Sequence, residues 1–241
     1  IWSLDMAFDN DGRMRAIRGH CIHDNGAYAP YGLILPATAI ASFPGPYALE
    51  ALDLSVDVVL TNLVPTSPVR GACRPNVAFL LERLADRVAR HLGMDRQEVR
   101  RRSFVKAEQM PYTTGLKARD GSPISYDSGD YTGALNLVLG KIDAADFEAR
   151  RKEAEQRGKL RGLGIASCVE DTGLGPFEGA SIRVTPSGKV VVATGASSQG
   201  QGHRTAFAQI AADALGVELE DVTVETADTA KFPLGISTIA S

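Results

Sequence analysis

The spacing of apolar residues divides the chain into a β-rich start, a helical middle and a mixed final third. Alternation of apolar and polar positions predicts strands at Trp2–Phe8 and Leu49–Leu60, with a return strand at Met14–Ile22. The segment Gly32–Phe43 is ambiguous, and we interpret it as a short helix broken by Pro36. The first sixty residues therefore predict a mainly β region.

A helical pattern follows, running from Pro75 to Gly93. Its apolar residues recur three and four positions apart, at Leu80, Leu81, Leu84, Val88 and Leu92. Its charged residues predict a solvent-exposed face, formed by Glu82, Arg83, Asp86, Arg87 and Arg90. Asp95 and Glu98 form a capping-box pattern for a short helix. The arginines at its end, 100–102, are interpreted as surface residues or as partners of carboxylates, and phosphate binding is the alternative.

The remaining pattern predicts an irregular stretch, two helices and a second β section. The irregular stretch covers residues 103–129, and the helices cover Asp130–Ile142 and Asp143–Arg157. The second section comprises apolar Leu163–Val169, a hairpin of Ala180–Val184 and Lys189–Ala193, a helix at His203–Leu215 and a strand at Val222–Glu225. We therefore predict an α/β (mixed α+β) fold of mixed sheets with packed helices. Two units, 1–142 and 162–241, would be joined by a charged helical linker at 143–161.

Composition and charge narrow the function classes. The chain has 241 residues and a formal net charge of −3, which predicts no attraction to nucleic acid. Its apolar runs fall short of the roughly 20 residues that span a bilayer. Three widely spaced cysteines favour a reducing compartment, so a cytoplasmic location is expected. His20 and His23 would point to opposite faces of a strand, so no metal-ligating residue is predicted.

A glycine-rich loop between a predicted strand and a predicted helix is the strongest candidate site. It runs from Gly195 to Gly202 with the sequence GASSQGQG. Glycines let a backbone approach a ligand closely, and a helix N-terminus offers free N–H groups suited to a phosphate. Glutamine amides both donate and accept, which suits a heterocycle. A tight β–α turn that merely requires glycine is the alternative.

Two further loops carry candidate chemistry. Arg70 and Arg74 flank small residues before the long helix, where they would bind an anionic ligand or cap carbonyls and pair with acids. Cys73 between them is either reactive or a small apolar residue. Glu170 and Asp171 lie in a glycine-containing loop, where acid–base chemistry and a plain polar loop are both open interpretations.

Several segments together resemble the molybdenum-binding subunit of the xanthine dehydrogenase, aldehyde oxidase and carbon monoxide dehydrogenase family. The matching segments, in the family's order, are Asp24–Tyr28, Val69–Asn76, Glu82–Asp86, Tyr126–Tyr131, Gly195–Gln209 and Gly235–Ser241. The resemblance implies an oxidoreductase that hydroxylates an aldehyde or a heterocycle with water-derived oxygen. It also implies a molybdopterin cofactor, usually the cytosine dinucleotide, with 2Fe-2S clusters and FAD on partner subunits.

The resemblance also implies roles for individual residues. Those matching cofactor-contacting positions are Gln199, Gly200, Gln201, Gly202, His203, Ala240 and Ser241, while Arg70 and Gly71 match the loop beside the metal. Ala72, Cys73 and Gly173 are expected in the substrate pocket. Xanthine-oxidising members hold their purine between two phenylalanines, and the matching positions here are Ala72 and Gly173.

Two departures from the family pattern limit the expected chemistry. The family's catalytic glutamate is expected beyond residue 241, so no catalytic residue is assigned and the chain alone is expected to be inactive. Carbon monoxide dehydrogenases proper place a cysteine directly after the loop arginine, where this chain has Gly71. A carbon monoxide dehydrogenase large chain remains an alternative, and so does a non-catalytic domain for subunit assembly.

Overall fold

The computed structural model describes residues 1–118, 121–170, 177–235 and 238. It divides into two compact units, residues 1–170 and 171–241. Mixed sheets with packed helices confirm the predicted α/β class. Each helix in these described ranges is too short or too polar to span a membrane.

The first unit is organised around a three-stranded sheet. Its strands are β1 (Trp2–Phe8), β2 (Met14–Asp24) and β3 (Ala51–Val59), in the spatial order β1-β2-β3. The β1–β2 pair is antiparallel and the β2–β3 pair is parallel. Helix α1 (Ile34–Ser42) lies in the connection between the two parallel strands. It is continuous, and the prediction that Pro36 breaks it was wrong, because a proline in the first turn costs no helical hydrogen bond.

Two capped helices pack on this sheet. Helix α2 (Arg74–Leu92) begins after Cys73 and ends at Gly93, whose left-handed backbone (φ 65°) forms the C-cap. Helix α3 (Arg96–Ser103) begins at Asp95, whose carboxylate accepts hydrogen bonds from the N–H groups at 97 and 98. The Asp95 half of the predicted capping box is therefore confirmed, whereas the Glu98 carboxylate pairs with an arginine one turn later.

The core of the first unit lies between the sheet and these helices. Its fully buried members include Met14, Ile17, Phe43, Tyr47, Val77, Leu81, Ala85, Val88, Val99 and Phe104. The prediction that Glu82 belongs to a solvent-exposed face was wrong, since its exposed fraction is 4%. Apolar periodicity could not show this, because Glu82 is buried together with a charged partner on another helix.

The rest of the first unit adds a hairpin and two helices. Strands β4 (Tyr112–Lys117) and β5 (Pro123–Tyr126) form a two-stranded antiparallel sheet inside the stretch predicted to be irregular. Helices α4 (Tyr131–Lys141) and α5 (Phe147–Gln156) confirm the two predicted helices. Helix α5 lies within the predicted linker, 143–161, whose role as a domain boundary stays a prediction.

The second unit repeats the strand order of the first on a smaller scale. It contains β6 (Ala180–Val184), β7 (Val190–Thr194), α6 (His203–Leu215) and β8 (Val222–Thr226). The β6–β7 pair is antiparallel and the β7–β8 pair is parallel, in the order β6-β7-β8. Its core consists of Val190, Val192, Ala208, Ala211 and Val224. The loop between β7 and α6 is the glycine-rich candidate site.

Candidate cofactor site

The glycine-rich loop turns directly into the N-terminus of α6. Gly200 and Gly202 have φ values of 110° and 75°, in the left-handed region that favours glycine. Gly202 is the N-cap residue, and a Cβ added there would meet no atom within 4 Å. The approach to the helix start is therefore open. The first N–H groups of a helix lack partners within it and carry a partial positive charge, so this end suits an anionic group.

The two glutamines of the loop help to fold the loop itself. The Gln201 side-chain oxygen accepts a hydrogen bond from the Gln199 backbone N–H at 2.5 Å. The Gln199 amide nitrogen lies 3.5 Å from the backbone oxygen of Thr238. The sequence pattern predicted that both amides contact a ligand and did not reveal these partners. Spacing alone does not show the direction in which a loop side chain points.

His203 begins α6 and is held in place on two sides. Its Nδ1 lies 3.3 Å from the backbone oxygen of Ala196, and its ring stacks on Phe207 with 4.9 Å between ring centroids. The imidazole therefore has a fixed orientation at the helix start, next to the left-handed Gly202. Such a placement allows His203 to contact a group bound at this end of α6.

The chain near residue 238 returns to the same loop. The Thr238 hydroxyl donates to the backbone oxygen of Ser197. A Cβ at Gly195 would lie 2.7 Å from the backbone oxygen of Leu234, so glycine permits the two backbones to touch. Two segments predicted separately from the sequence thus meet within the second unit. The predicted contacts Ala240 and Ser241 lie outside the described residues.

In the first unit, the predicted metal-side loop has an unusual backbone. Three consecutive residues, Gly71, Ala72 and Cys73, have φ values of 100°, 42° and 74°. Left-handed conformations are unfavourable for alanine and cysteine, and such strain is characteristic of functional loops. Arg70, beside them, is exposed. The sequence showed the small residues here but not the strained geometry that they adopt.

The thiol of Cys73 turns toward the protein interior. Cys73 packs against the core of the first unit, and burial raises the pKa of its thiol, with the neighbouring Cys21 adding to the effect. A raised pKa keeps the sulfur protonated and unreactive. These contacts favour the apolar interpretation of Cys73 over the reactive one.

Arg74 and Glu170 form a contact between the two other candidate loops. The Arg74 side chain is only 9% exposed, and its Nη1 lies 3.8 Å from Oε1 of Glu170. The structure therefore shows Arg74 paired with an acid, which is one of the two interpretations that the sequence left open for it. Asp171 and Gly173 lie outside the described residues.

Comparisons with known proteins show the family to which the chain belongs. Two family models, both described as "Molybdopterin cofactor-binding domain", match residues 1–104 and 138–241. A 6-hydroxypseudooxynicotine dehydrogenase complex subunit gamma from Paenarthrobacter nicotinovorans is 32% identical over all of this chain and 30% of its own length. A carbon monoxide dehydrogenase large chain from Hydrogenophaga pseudoflava is 34% identical over 98% of this chain and 31% of its own.

A solved structure supports the same assignment. Quinoline 2-oxidoreductase from Pseudomonas putida 86 superimposes with a TM-score of 0.80 and 34% identity, covering 98% of this chain and 31% of that one. The two family models, together with the fold, thus define a pair of molybdopterin cofactor-binding domains. The chain belongs to the molybdenum-binding subunits of the xanthine dehydrogenase and carbon monoxide dehydrogenase family. It spans about a third of the length of the curated relatives that it matches.

Proposed function

We propose that this chain is the cofactor-holding part of the large subunit of a molybdenum hydroxylase. In this proposal Gln199–His203, with Ala240 and Ser241, hold a molybdopterin cytosine dinucleotide. The observation that carries the proposal is the open N-terminus of α6, where a left-handed Gly202 leaves room beside backbone N–H groups. Those N–H groups would meet the diphosphate of the dinucleotide.

The residues of this chain bind and orient, and none is proposed as a catalytic acid or base. When bound, the molybdenum centre supplies the redox chemistry that hydroxylates the substrate with oxygen derived from water. Gln201 supports this by holding the loop through the N–H of Gln199. Arg70 and Gly71 are proposed to lie beside the metal, in the strained loop before α2. Ala72 and Gly173 would then form part of the substrate pocket.

The proposed substrate is an aldehyde or a nitrogen heterocycle other than xanthine. Ala72 places a methyl group where xanthine-oxidising members have a phenylalanine, so stacking of about 0.5–1.5 kcal/mol on that side is lost. Several relatives carry names that refer to nitrogen heterocycles, among them the quinoline and nicotine enzymes. These names support, for this chain, a pocket suited to such rings.

The geometry argues against carbon monoxide as the substrate. A Cβ at Gly71 would lie 2.6 Å from the ring of Pro75, so this loop conformation has no room for a cysteine after Arg70. Cys73, the nearest alternative, packs against the core. Both observations favour a hydroxylase over a copper-containing enzyme.

We propose partner subunits, because one relative is named as the gamma subunit of a dehydrogenase complex. The family resemblance implies that these partners carry 2Fe-2S clusters and FAD. A cytoplasmic location is part of the same proposal. All three cysteines are free thiols, which is consistent with a reducing compartment.

The test is metal and pterin analysis of the intact complex, followed by a substrate panel. We expect molybdenum and a pterin that releases a cytosine nucleotide on hydrolysis. Values of kcat/KM are then compared for aldehydes, N-heterocycles, carbon monoxide and xanthine. A complex without molybdenum and pterin would contradict the proposal and favour an assembly domain. Xanthine as the best substrate would refute the argument from Ala72, and carbon monoxide would refute the one from Gly71.

A further inference from the structure

The segment before the predicted pocket residue Gly173 is held by side chains instead of by a sheet. Apolar Leu163–Val169 was assigned to the predicted second β section, but its backbone lies outside every sheet among the described residues, and that assignment was wrong. Nη2 of Arg100 lies 3.4 Å from the backbone oxygen of Ile165. The Glu82 carboxylate accepts a hydrogen bond from the backbone N–H of Ser167. Two buried charged residues therefore replace a neighbouring strand.

These two residues belong to one buried network. Arg100 is fully buried, and its Nε donates to Oε2 of Glu82 at 2.8 Å. Its Nη2 also contacts Asp86, at 3.0 Å from Oδ1. The Tyr47 hydroxyl donates to the other carboxylate oxygen of Glu82. A buried ion pair is costly to break, because either charge left alone would be desolvated without a partner.

The other end of the segment contacts the start of α2. Ser167 and Val169 line a small cleft together with Arg74. Glu170 reaches the buried side chain of Arg74 at 3.8 Å. The segment is therefore attached both to the buried network and to the start of α2. Arg74 follows directly on the strained Gly71–Cys73 turn.

We propose that Glu82 and Arg100 are positioning residues for the substrate pocket. They fix residues 165–170 beside the start of α2, which follows directly on the Gly71–Cys73 turn that the proposed function assigns to the pocket. Neither residue contacts the substrate in this account. The proposal rests on the proposed function for the identity of the pocket, and on the contacts at Ile165 and Ser167 for the mechanism.

Arg100→Lys in the intact complex tests the proposal. Lysine keeps the positive charge near Glu82 but lacks the planar fork that reaches Glu82, Asp86 and Ile165 together. The matched control is Tyr47→Phe, which removes a hydrogen bond to Oε1 of Glu82 and leaves the contacts of Arg100 in place. It keeps the stacking of ring 47 on Phe104, where the centroids lie 5.4 Å apart. If Arg100→Lys does not assemble, Glu82→Gln takes its place in the same comparison.

Two readouts are compared between variant and control. Amide hydrogen exchange at Ser167, whose N–H donates to Glu82, should accelerate about tenfold in Arg100→Lys and less than about twofold in Tyr47→Phe. KM for the best substrate should rise about fivefold in Arg100→Lys with kcat nearly unchanged, since residues 165–170 are then held less firmly beside the start of α2.

A uniform acceleration of exchange through α2 and α3 would overturn the proposal, because it would indicate a general structural role. So would equal effects of the two variants on KM. Hydrogen exchange can be measured whether or not molybdenum is bound. A complex that lacks the cofactor would contradict the proposed function. The exchange comparison would still decide whether Glu82 and Arg100 position the segment.

Discussion

The two units share a topology but secure their candidate loops by different means. Each contains an antiparallel strand pair followed by a helix and a third, parallel strand. In the first unit, buried charged side chains hold the chain near the candidate loop. In the second unit, the loop is held mainly by backbone contacts that glycine permits, at Gly195 and near Thr238.

This difference follows from core size. The larger core of the first unit encloses Glu82 and Arg100, whereas Thr194 is the buried polar residue of the second unit within the described ranges. A small core of valines and alanines cannot bury an ion pair without large desolvation costs. Close backbone packing needs no such burial, so it serves the smaller unit.

The largest expected effect concerns the ion pair of the first unit. Glu82→Ala should lower the free energy of unfolding by about 3–5 kcal/mol, because Arg100 is left buried without its main partner. Glu148→Ala, at an exposed pair on α5, is the matched control and should change it by less than about 1 kcal/mol. Urea denaturation of the purified chain measures both. If both variants lose a similarly small free energy of unfolding, the buried network stabilises the protein no more than the exposed pair does.

A second prediction concerns the backbone contact of the second unit. Gly195→Ala should lower the free energy of unfolding by about 1–3 kcal/mol, since the new Cβ must push away the oxygen of Leu234. Molybdenum and pterin content of the complex should fall with it. The control is Gly140→Ala in α4, where the added Cβ meets open space and stabilises the helix by roughly 0.5–1 kcal/mol. Full cofactor content in Gly195→Ala would show that this contact does not shape the site.

A smaller effect is expected from the loop glutamine. Gln201→Ala removes the hydrogen bond to the Gln199 N–H, worth about 0.5–1.5 kcal/mol. We expect partial loss of pterin, measured as pterin per subunit after purification. Gln209→Ala, at an exposed position of α6, should retain full occupancy. Equal occupancy in both variants would remove Gln201 from the site.

The smallest predicted effect is a pH dependence in the first unit. Burial lowers the pKa of His23, whose Nε2 has no hydrogen-bond partner among the described residues. The unfolded chain therefore binds a proton more readily, and stability should fall as the pH drops below about 6.5. His23→Asn should reduce the decrease in unfolding free energy that occurs when the pH is lowered from about 7.5 to about 5.5. Urea denaturation at both pH values measures it, with His91→Asn as the control, and identical slopes in His23→Asn and the parent chain would contradict it.

Much of the fold could be predicted because it depends on local signals. Alternation located β1 and β3, and apolar spacing with Gly93 located α2. The β structure predicted at 163–169 does not form, and two of its backbone groups, at Ile165 and Ser167, bond instead to Arg100 and Glu82, which are distant in sequence. No local pattern reports such a contact.

The candidate site likewise has one part that the sequence predicted and one part that it did not. Glycine spacing was sufficient to predict the loop at the start of α6, because left-handed backbone has a sequence signature. The left-handed conformations of Ala72 and Cys73 have no such signature and were not predicted. The roles assigned to Arg70, Ala72 and Gly173 came from the family resemblance and stay predictions.

The hydrogen bonds between the Glu82–Arg100 pair and residues 165–170 also have a consequence for folding during synthesis. Synthesis proceeds from the N-terminus, and domains generally fold as units while the chain emerges. Helices α2 and α3 emerge well before Ile165 and Ser167, so the buried pair lacks two of its hydrogen-bond partners until residue 167 has been added. We therefore expect the nascent first unit to reach full stability only after that segment leaves the ribosome. Any division of the gene before residue 168 would produce a first half whose buried pair lacks one or both of these hydrogen-bond partners.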